Sequence, residues 1–107
     1  MLAGDFNFCR SISDRNRDGG NMNDIMIFNE IISNLGLLEI PLKGRNFTWS
    51  NMQSEPLLEQ IDWVFTSINW ISDFPNTLLL PLATSLAKYR LALQSQKLKS
   101  SGLKFFW

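Results

Sequence analysis

The chain reads Ile-Asp-Trp-Val-Phe-Thr at residues 61–66, and this short run decides the architecture. Ile61, Trp63 and Phe65 occupy alternate positions, which predicts a β-strand with one strongly apolar face. Asp62 belongs to the opposite face of the same strand. We interpret its carboxylate either as a solvated strand acid or as part of a functional site.

A second alternating run lies just upstream, and a polar loop containing a proline separates the two. This arrangement predicts a β-hairpin that spans residues 46–66. Phe47 and Trp49 share one face of the upstream run, and we expect both in the core. Thr48 and Ser50 share the other face and are expected to be free for polar contacts.

Apolar residues recur every three or four positions further upstream, which predicts an amphipathic helix. Asn23 is the expected N-cap, and Gly36 is expected to end the helix. The apolar positions of this helix are Ile25, Phe28, Ile31, Ile32 and Leu35. A helix of this kind buries one face against a neighbouring layer.

Shorter patterns complete the predicted secondary structure. They predict strands at Leu2–Phe8, Leu37–Ile40 and Thr77–Leu82 and a helical turn at Ile68–Asp73. Residues 85–99 fit a helix or a strand equally well. A helix among strands joined by hairpin-type links predicts an α/β (α+β) fold with a mixed, largely antiparallel sheet.

The composition excludes several classes of protein. The 107 residues are 45% apolar, as in a globular domain, and they include one cysteine and no histidine. A Ser-His triad, a histidine-ligated metal and a disulfide framework are therefore excluded. No apolar run is long enough to span a membrane, and no leader is recognisable, so we expect a nuclear or cytoplasmic protein that is not secreted.

The charge is balanced overall but uneven along the chain. Residues 1–84 hold five basic and ten acidic side chains, whereas residues 85–107 hold five basic side chains and no acidic one. The basic positions at the end are Lys88, Arg90, Lys97, Lys99 and Lys104. This segment is either a solvated face or a contact surface for a polyanion.

Asp5 and Asn7 are the first candidates for chemistry. Two residues apart on an extended segment, they project to the same side, while Phe6 turns toward the core. A carboxylate beside an amide suits phosphoester hydrolysis, because one can hold a water while the other donates to a phosphoryl oxygen. The alternative is a strand-to-loop turn in which these side chains cap backbone amides.

Several motifs occur together in a fixed order. They are Gly-Asp-Phe-Asn at 4–7, Leu-Gly-Leu at 35–37, Gly-Arg-Asn-Phe-Thr-Trp-Ser-Asn at 44–51, Ile-Asp-Trp-Val-Phe at 61–65, Asn-Trp at 69–70 and Phe-Pro at 74–75. This set resembles the C-terminal half of the endonuclease/exonuclease/phosphatase family, in particular the endonuclease domain of plant LINE-type (non-LTR) retrotransposons. The resemblance divides the chain into a partial domain at 1–82 and a divergent basic segment at 83–107.

The resemblance implies half of a four-layer α/β sandwich and a Mg²⁺-dependent enzyme that nicks DNA. In that family Asp5 would align the attacking water, Asn7 would bind the scissile phosphate, and Asp62 would orient a catalytic histidine. Thr48 would sit on a hairpin that leans into the DNA groove. The nucleic-acid contacts expected in total are Thr48 from the resemblance, Ser50 from the polar face that it shares with Thr48, and Lys88 and Arg90 from the charge of the basic segment.

The chain departs from the family pattern at the site itself. Where the family has Ser-Asp-His, the chain reads Ala-Thr-Ser at 83–85, and the family's metal-binding glutamate has no counterpart. We therefore expect a degenerate endonuclease fragment that is inactive alone and binds no Mg²⁺ alone. The parent element would supply the N-terminal half or a reverse transcriptase module.

Two further hypotheses remain open. One is a non-catalytic nucleic-acid-binding remnant that uses the hairpin at 46–66 and the basic segment at 88–104. The other is a residual Mg²⁺ nuclease completed by a partner or by dimerisation. Neither hypothesis involves a membrane.

Overall fold

The computed structural model describes residues 1–82, 90–96 and 102–106. Two α-helices and eight strands are present in these residues, with a 3₁₀ turn at Ile12–Asp14. The elements are β1 (Leu2–Asp5), α1 (Met22–Asn34), β2 (Leu38–Glu39), β3 (Trp49–Ser50), β4 (Leu58–Glu59), β5 (Asp62–Thr66), α2 (Ile68–Asp73), β6 (Leu78–Leu82), β7 (Arg90–Gln96) and β8 (Gly102–Phe106). Helices combined with antiparallel strands confirm the predicted α+β class.

The run at 61–66 forms the central strand of the main sheet. This strand, β5, is flanked by β1 and β2, and both pairings are antiparallel. Trp63 and Phe65 face α1, and Val64 lies in a separate cluster with Ile40 and Leu79. Since both faces of β5 are covered, its side chains from Trp63 to Thr66 are buried.

Helix α1 covers one face of the sheet. Phe28 and Ile32 pack against Trp63 and Phe65, and Ile25 belongs to a smaller cluster with Cys9 and Ile61. The predicted apolar face is thus confirmed for Ile25, Phe28 and Ile32, which are buried. Ile31 and Leu35 are 50% and 62% exposed, because they lie on a flank of the helix that no described element covers.

The helix begins earlier than its sequence pattern indicates. Asn21 is the N-cap, and its Oδ1 accepts a hydrogen bond from the Asp24 amide at 3.2 Å. The prediction of Asn23 is wrong because Asn23 already lies within the first turn. Gly36 adopts a φ of +65° just after the C-cap and ends the helix as expected.

The opposite face of the sheet is covered by later elements. Ile40, Val64 and Leu79 form the buried cluster there, with Ile71 of α2 packed against it. Helix α2 begins where the Ser67 hydroxyl accepts a hydrogen bond from the Trp70 amide at 3.3 Å. The helical turn predicted at Ile68–Asp73 is confirmed.

The predicted hairpin pairs differently. Strand β3 pairs with β4, within the stretch predicted as loop, and not with β5. The Asn51 carboxamide oxygen accepts hydrogen bonds from the Gln53 and Leu57 amides at 3.1 and 3.0 Å, which turns the chain back early. Strand β1 pairs along one edge of β5, β2 pairs with Phe65 and Thr66 on the other edge, and the amides of Ile61 and Asp62 donate to the Thr48 side chain instead of to a strand.

The remaining strands form a third sheet in the order β6-β7-β8. Strand β6 confirms the strand predicted at Thr77–Leu82, and part of the ambiguous stretch at 85–99 is strand β7. Backbone pairing joins this sheet to the body, since the Lys43 amide donates to the Leu79 carbonyl at 2.9 Å. Neither α1 nor α2 has the length and apolar character needed to cross a membrane.

Candidate functional site

Two carboxylates meet where the central strand begins. Asp5 is the last residue of β1 and lies directly opposite Asp62, the first residue of β5. Opposed residues of an antiparallel pair have Cβ atoms roughly 5 Å apart. The fold therefore brings together two residues that are 57 positions apart in the sequence.

The two carboxylates lie in different environments. Asp62 is half-buried, whereas Asp5 is exposed. Burial raises the pKa of Asp62 above its ordinary 3.8, the negative charge of Asp5 raises it further, and a hydrogen bond from Thr48 opposes both effects. The folded state thus holds this proton more tightly than the unfolded chain, so Asp62 lowers stability as pH rises from 3.8 toward its raised pKa.

The Asp5–Asn7 segment forms a tight turn. The Asp5 Oδ1 accepts a hydrogen bond from the Asn7 amide at 2.8 Å, and Asn7 has a φ of +59°. Strand β1 ends at Asp5. The strand alternation that would place the Asp5 and Asn7 side chains on the same side therefore does not extend to Asn7. Phe6 is half-buried against Phe28 and Phe65, as predicted.

Thr48 lies inside the fold and not on an exposed face. It is 4% exposed, and its Oγ1 accepts hydrogen bonds from the amides of Ile61 and Asp62 at 3.1 and 3.2 Å. The prediction of a free Thr48 and a buried Trp49 is wrong, because the pairing of β3 with β4 turns Thr48 inward and leaves Trp49 38% exposed.

The hydroxyl of Thr48 joins the hairpin to the carboxylate pair. Its oxygen lone pairs accept the two amides, and its proton is available to the Asp62 carboxyl, to which it is hydrogen-bonded. One buried side chain therefore anchors the backbone at Asp62 and also lowers the pKa of its carboxyl. This role differs from the groove contact that the family resemblance implies.

The other predicted nucleic-acid contacts are separated. Ser50 is half-buried, and its Oγ accepts a hydrogen bond from the Met52 amide at 3.0 Å, which stabilises the β3–β4 turn. Arg90 is the first residue of β7, paired with Leu82. Lys88 lies outside the described residues. A role in nucleic-acid binding stays a prediction for each of them.

A second cluster was not foreseen from the sequence. The Cys9 thiol is 8% exposed and lies 3.4 Å from the Glu59 Oε2. Burial, and then the hydrogen bond and negative charge of Glu59, raise the pKa of Cys9 to about 12. Arg15 lies 3.9 Å from Glu59, and the residues border a cleft of about 140 Å³. No local motif links Cys9 to Glu59, 50 positions away.

Ligands for a metal are few in this region. Within residues 1–82, 90–96 and 102–106, no three His, Cys, Asp or Glu side chains group closely enough to hold a metal ion. Asp5 and Asp62 supply two carboxylates, and one Asp5 oxygen is already used by its own turn. A hard cation such as Mg²⁺ prefers about six oxygen ligands in octahedral geometry.

No protein-family model, curated protein or solved structure matches this chain. Support for a function therefore comes from its motifs and from the geometry around Asp62. The geometry shows which of the groups in those motifs lie together, since Asp5 and Asp62 are opposed and Thr48 accepts the Asp62 amide.

Replacing Thr48 by valine tests the buried hydroxyl. The change keeps the side-chain shape but leaves the Ile61 and Asp62 amides without their acceptor, which we expect to cost about 2 kcal/mol of unfolding free energy. Thr48→Ser keeps the oxygen and serves as the matched control. Urea denaturation measures both variants, and equal stability of the two would contradict the bonding described here.

Proposed function

We propose that this chain is a degenerate fragment of a Mg²⁺-dependent DNA endonuclease, corresponding to the C-terminal half of the endonuclease/exonuclease/phosphatase sandwich. Alone, it hydrolyses no phosphodiester bonds. The observation that carries the proposal is the placement of Asp5 opposite Asp62, with Thr48 bonded to Asp62. These residues come from three separate motifs of the family pattern.

The arrangement suits part of a phosphodiesterase site. Asp5 and Asn7 are both exposed at the end of β1, where a phosphate group can approach. An ionised Asp5 can accept a proton from a water, and the Asn7 carboxamide can donate to a phosphoryl oxygen. Asp62 lies opposite Asp5 in the strand pair, and its backbone amide donates to the Thr48 hydroxyl. Binding and orientation are thus supported by the chain's own residues.

The residues do not fit a resident Mg²⁺. Asp5 shares one of its oxygens with the Asn7 amide, and the Asp62 carboxyl is half-buried and hydrogen-bonded to Thr48. Two such groups leave most of the octahedral positions of the ion unfilled. We propose that the chain alone holds no Mg²⁺, and that the missing ligands belong to the N-terminal half of the parent domain.

The chain also lacks a donor for the leaving oxygen. Phosphodiester cleavage needs stabilisation of the charge that builds on the phosphoryl and leaving oxygens, and each missing donor lowers the rate by roughly 10²- to 10³-fold. The sequence contains no histidine, so Asp62 has no imidazole to orient. Its carboxyl is instead stabilised by the hydroxyl of Thr48.

Nicking of supercoiled plasmid in Mg²⁺ tests the proposal. We expect the wild-type chain and the Asp5→Ala/Asn7→Ala double variant to give the same background of nicked circles. Nicking by the wild type that the double variant loses would overturn the proposal in favour of a residual nuclease. Equal nicking by both proteins that scales with residual host nuclease in the preparation would leave no activity to assign to this chain.

Binding to DNA addresses the alternative of a nucleic-acid-binding remnant. Residues 1–82 hold five basic and ten acidic side chains, a net charge of −5, so the partial domain repels a polyanion. Binding in this alternative uses the hairpin at 46–66 and the basic segment at 88–104, and the favourable charge lies in the basic segment. A Lys97→Glu/Lys99→Glu variant that abolishes a steeply salt-dependent affinity would support this alternative.

A further inference from the structure

The loop before α1 contains an exposed Asp-Gly pair. Asp18 is the one aspartate in the sequence that glycine follows, and both Asp18 and Gly19 are exposed. Within residues 1–82, neither the Asp18 carboxylate nor the Gly19 amide has a hydrogen-bond or ion-pair partner. Gly19 has a φ of +107°, a conformation that residues with a side chain rarely adopt.

We propose that Asp18-Gly19 is a site of spontaneous aspartate isomerisation in the folded protein. The Gly19 amide nitrogen attacks the Asp18 carboxyl carbon, an N–C bond forms, and the amide hydrogen and a carboxyl oxygen leave with a proton as water. Water then opens the resulting succinimide ring. Opening at the original main-chain carbonyl routes the backbone through the side-chain carbon and yields isoaspartate, whereas opening at the other carbonyl restores aspartate.

The reaction requires no catalyst, oxidant or metal. The water that leaves on ring closure is regained on ring opening, so aspartate and isoaspartate have the same atoms. Its rate depends on whether the amide nitrogen can approach the carboxyl carbon. A glycine removes the Cβ that would hinder this approach. An amide without a hydrogen bond keeps the freedom to rotate, and the Gly19 amide meets both conditions.

Other aspartates are held by secondary structure. The amide that follows Asp24 donates to the Asn21 carbonyl at 3.1 Å, and the amide that follows Asp73 donates to the Trp70 carbonyl at 2.7 Å. Asp62 lies in a paired strand. Each of these three is followed by a bulky residue, so ring closure is hindered at all of them.

Isomerisation at this position would reach the start of α1. Isoaspartate adds one carbon to the main chain, three residues before the N-cap Asn21. A Cβ added at Gly20 would lie in van der Waals contact with the Arg15 side chain, at 3.5 Å, so the loop packs against that side chain. We expect the modified loop to displace the N-cap and to lower the urea midpoint of the protein.

The test is incubation of the full chain at neutral pH and physiological temperature, followed by proteolysis and electron-transfer fragmentation. We expect isoaspartate at Asp18 to exceed that at Asp73 by roughly tenfold or more, the factor that about 1.4 kcal/mol of activation free energy gives. The rate in the native state should approach the rate in urea. Asp18→Glu is the control, because a six-membered ring closes far more slowly.

Two results would overturn the proposal. The first is isoaspartate at Asp18 no higher than at Asp73. The second is isoaspartate that forms in urea but not in the native state, which would show that the folded loop protects the pair. Labelled methyl transfer to the isoaspartyl carboxyl gives an independent count of the modified chains.

Discussion

Replacement of Phe65 by alanine is expected to remove a large share of the free energy of unfolding. Phe65 is fully buried, and its ring lies 5.5 Å from the Phe6 ring and 6.0 Å from the Phe28 ring, with the Arg10 guanidinium 5.6 Å above it. Deleting a buried phenylalanine ring costs about 3–5 kcal/mol. Domains of this size are stable by only about 5–15 kcal/mol.

Urea denaturation followed by tryptophan fluorescence measures this effect. Trp63 stacks against Phe65 at 6.3 Å, so its emission reports directly on the altered core. Phe8→Ala is the matched control, since Phe8 is 42% exposed and stacks on Phe28 at the edge of the same cluster. We expect the control to cost about 1 kcal/mol. Equal losses in both variants would contradict the assignment of Phe65 to the core.

The Cys9 thiol is expected to react about a thousandfold more slowly with a disulfide reagent at neutral pH than an unperturbed cysteine does. Its pKa is raised from 9.0 to about 12, so the reactive thiolate is correspondingly scarce. Burial is the largest cause, and Glu59 adds to it through a hydrogen bond and its negative charge. Stopped-flow measurement with an aromatic disulfide gives the rate.

Glu59→Gln separates the two causes. The variant removes the negative charge and keeps the burial, so we expect the labelling rate to rise but to stay below that of the chain in urea.

Because the native state holds the Cys9 thiol proton more tightly, this group contributes stability below pH 9.0 that is lost as pH rises toward 12. Cys9→Ala should remove this fall in the free energy of unfolding between pH 9 and 12. Rapid labelling of the native wild-type chain would contradict this account.

Local patterns predicted most of the elements near the central strand. The alternation at 61–66 indicated a strand with Trp63 and Phe65 on one face, and the structure places both against α1. The helical spacing identified Ile25, Phe28 and Ile32 as the buried face. These predictions succeeded because the periods of a strand and a helix are properties of a few consecutive residues.

The candidate site could be predicted only in part. Asp5 and Asp62 stood out through short motifs, and the structure shows them opposite each other in the β1–β5 pair. Their catalytic roles, and that of Asn7, stay predictions. Thr48 was assigned to the wrong face, because its side-chain direction depends on pairing with Glu59 and not on its own neighbours in the sequence.

The amino-acid sequence by itself determined the α+β class, the central strand, the apolar face of α1 and the turn at Gly36. Each of these depends on side-chain periodicity or on the backbone freedom of one residue. The tertiary structure alone decided that β3 pairs with β4, that Thr48 holds Asp62, and that Cys9 meets Glu59. Strand register and long-range burial set these contacts, and both arise from the packing of segments far apart in the chain.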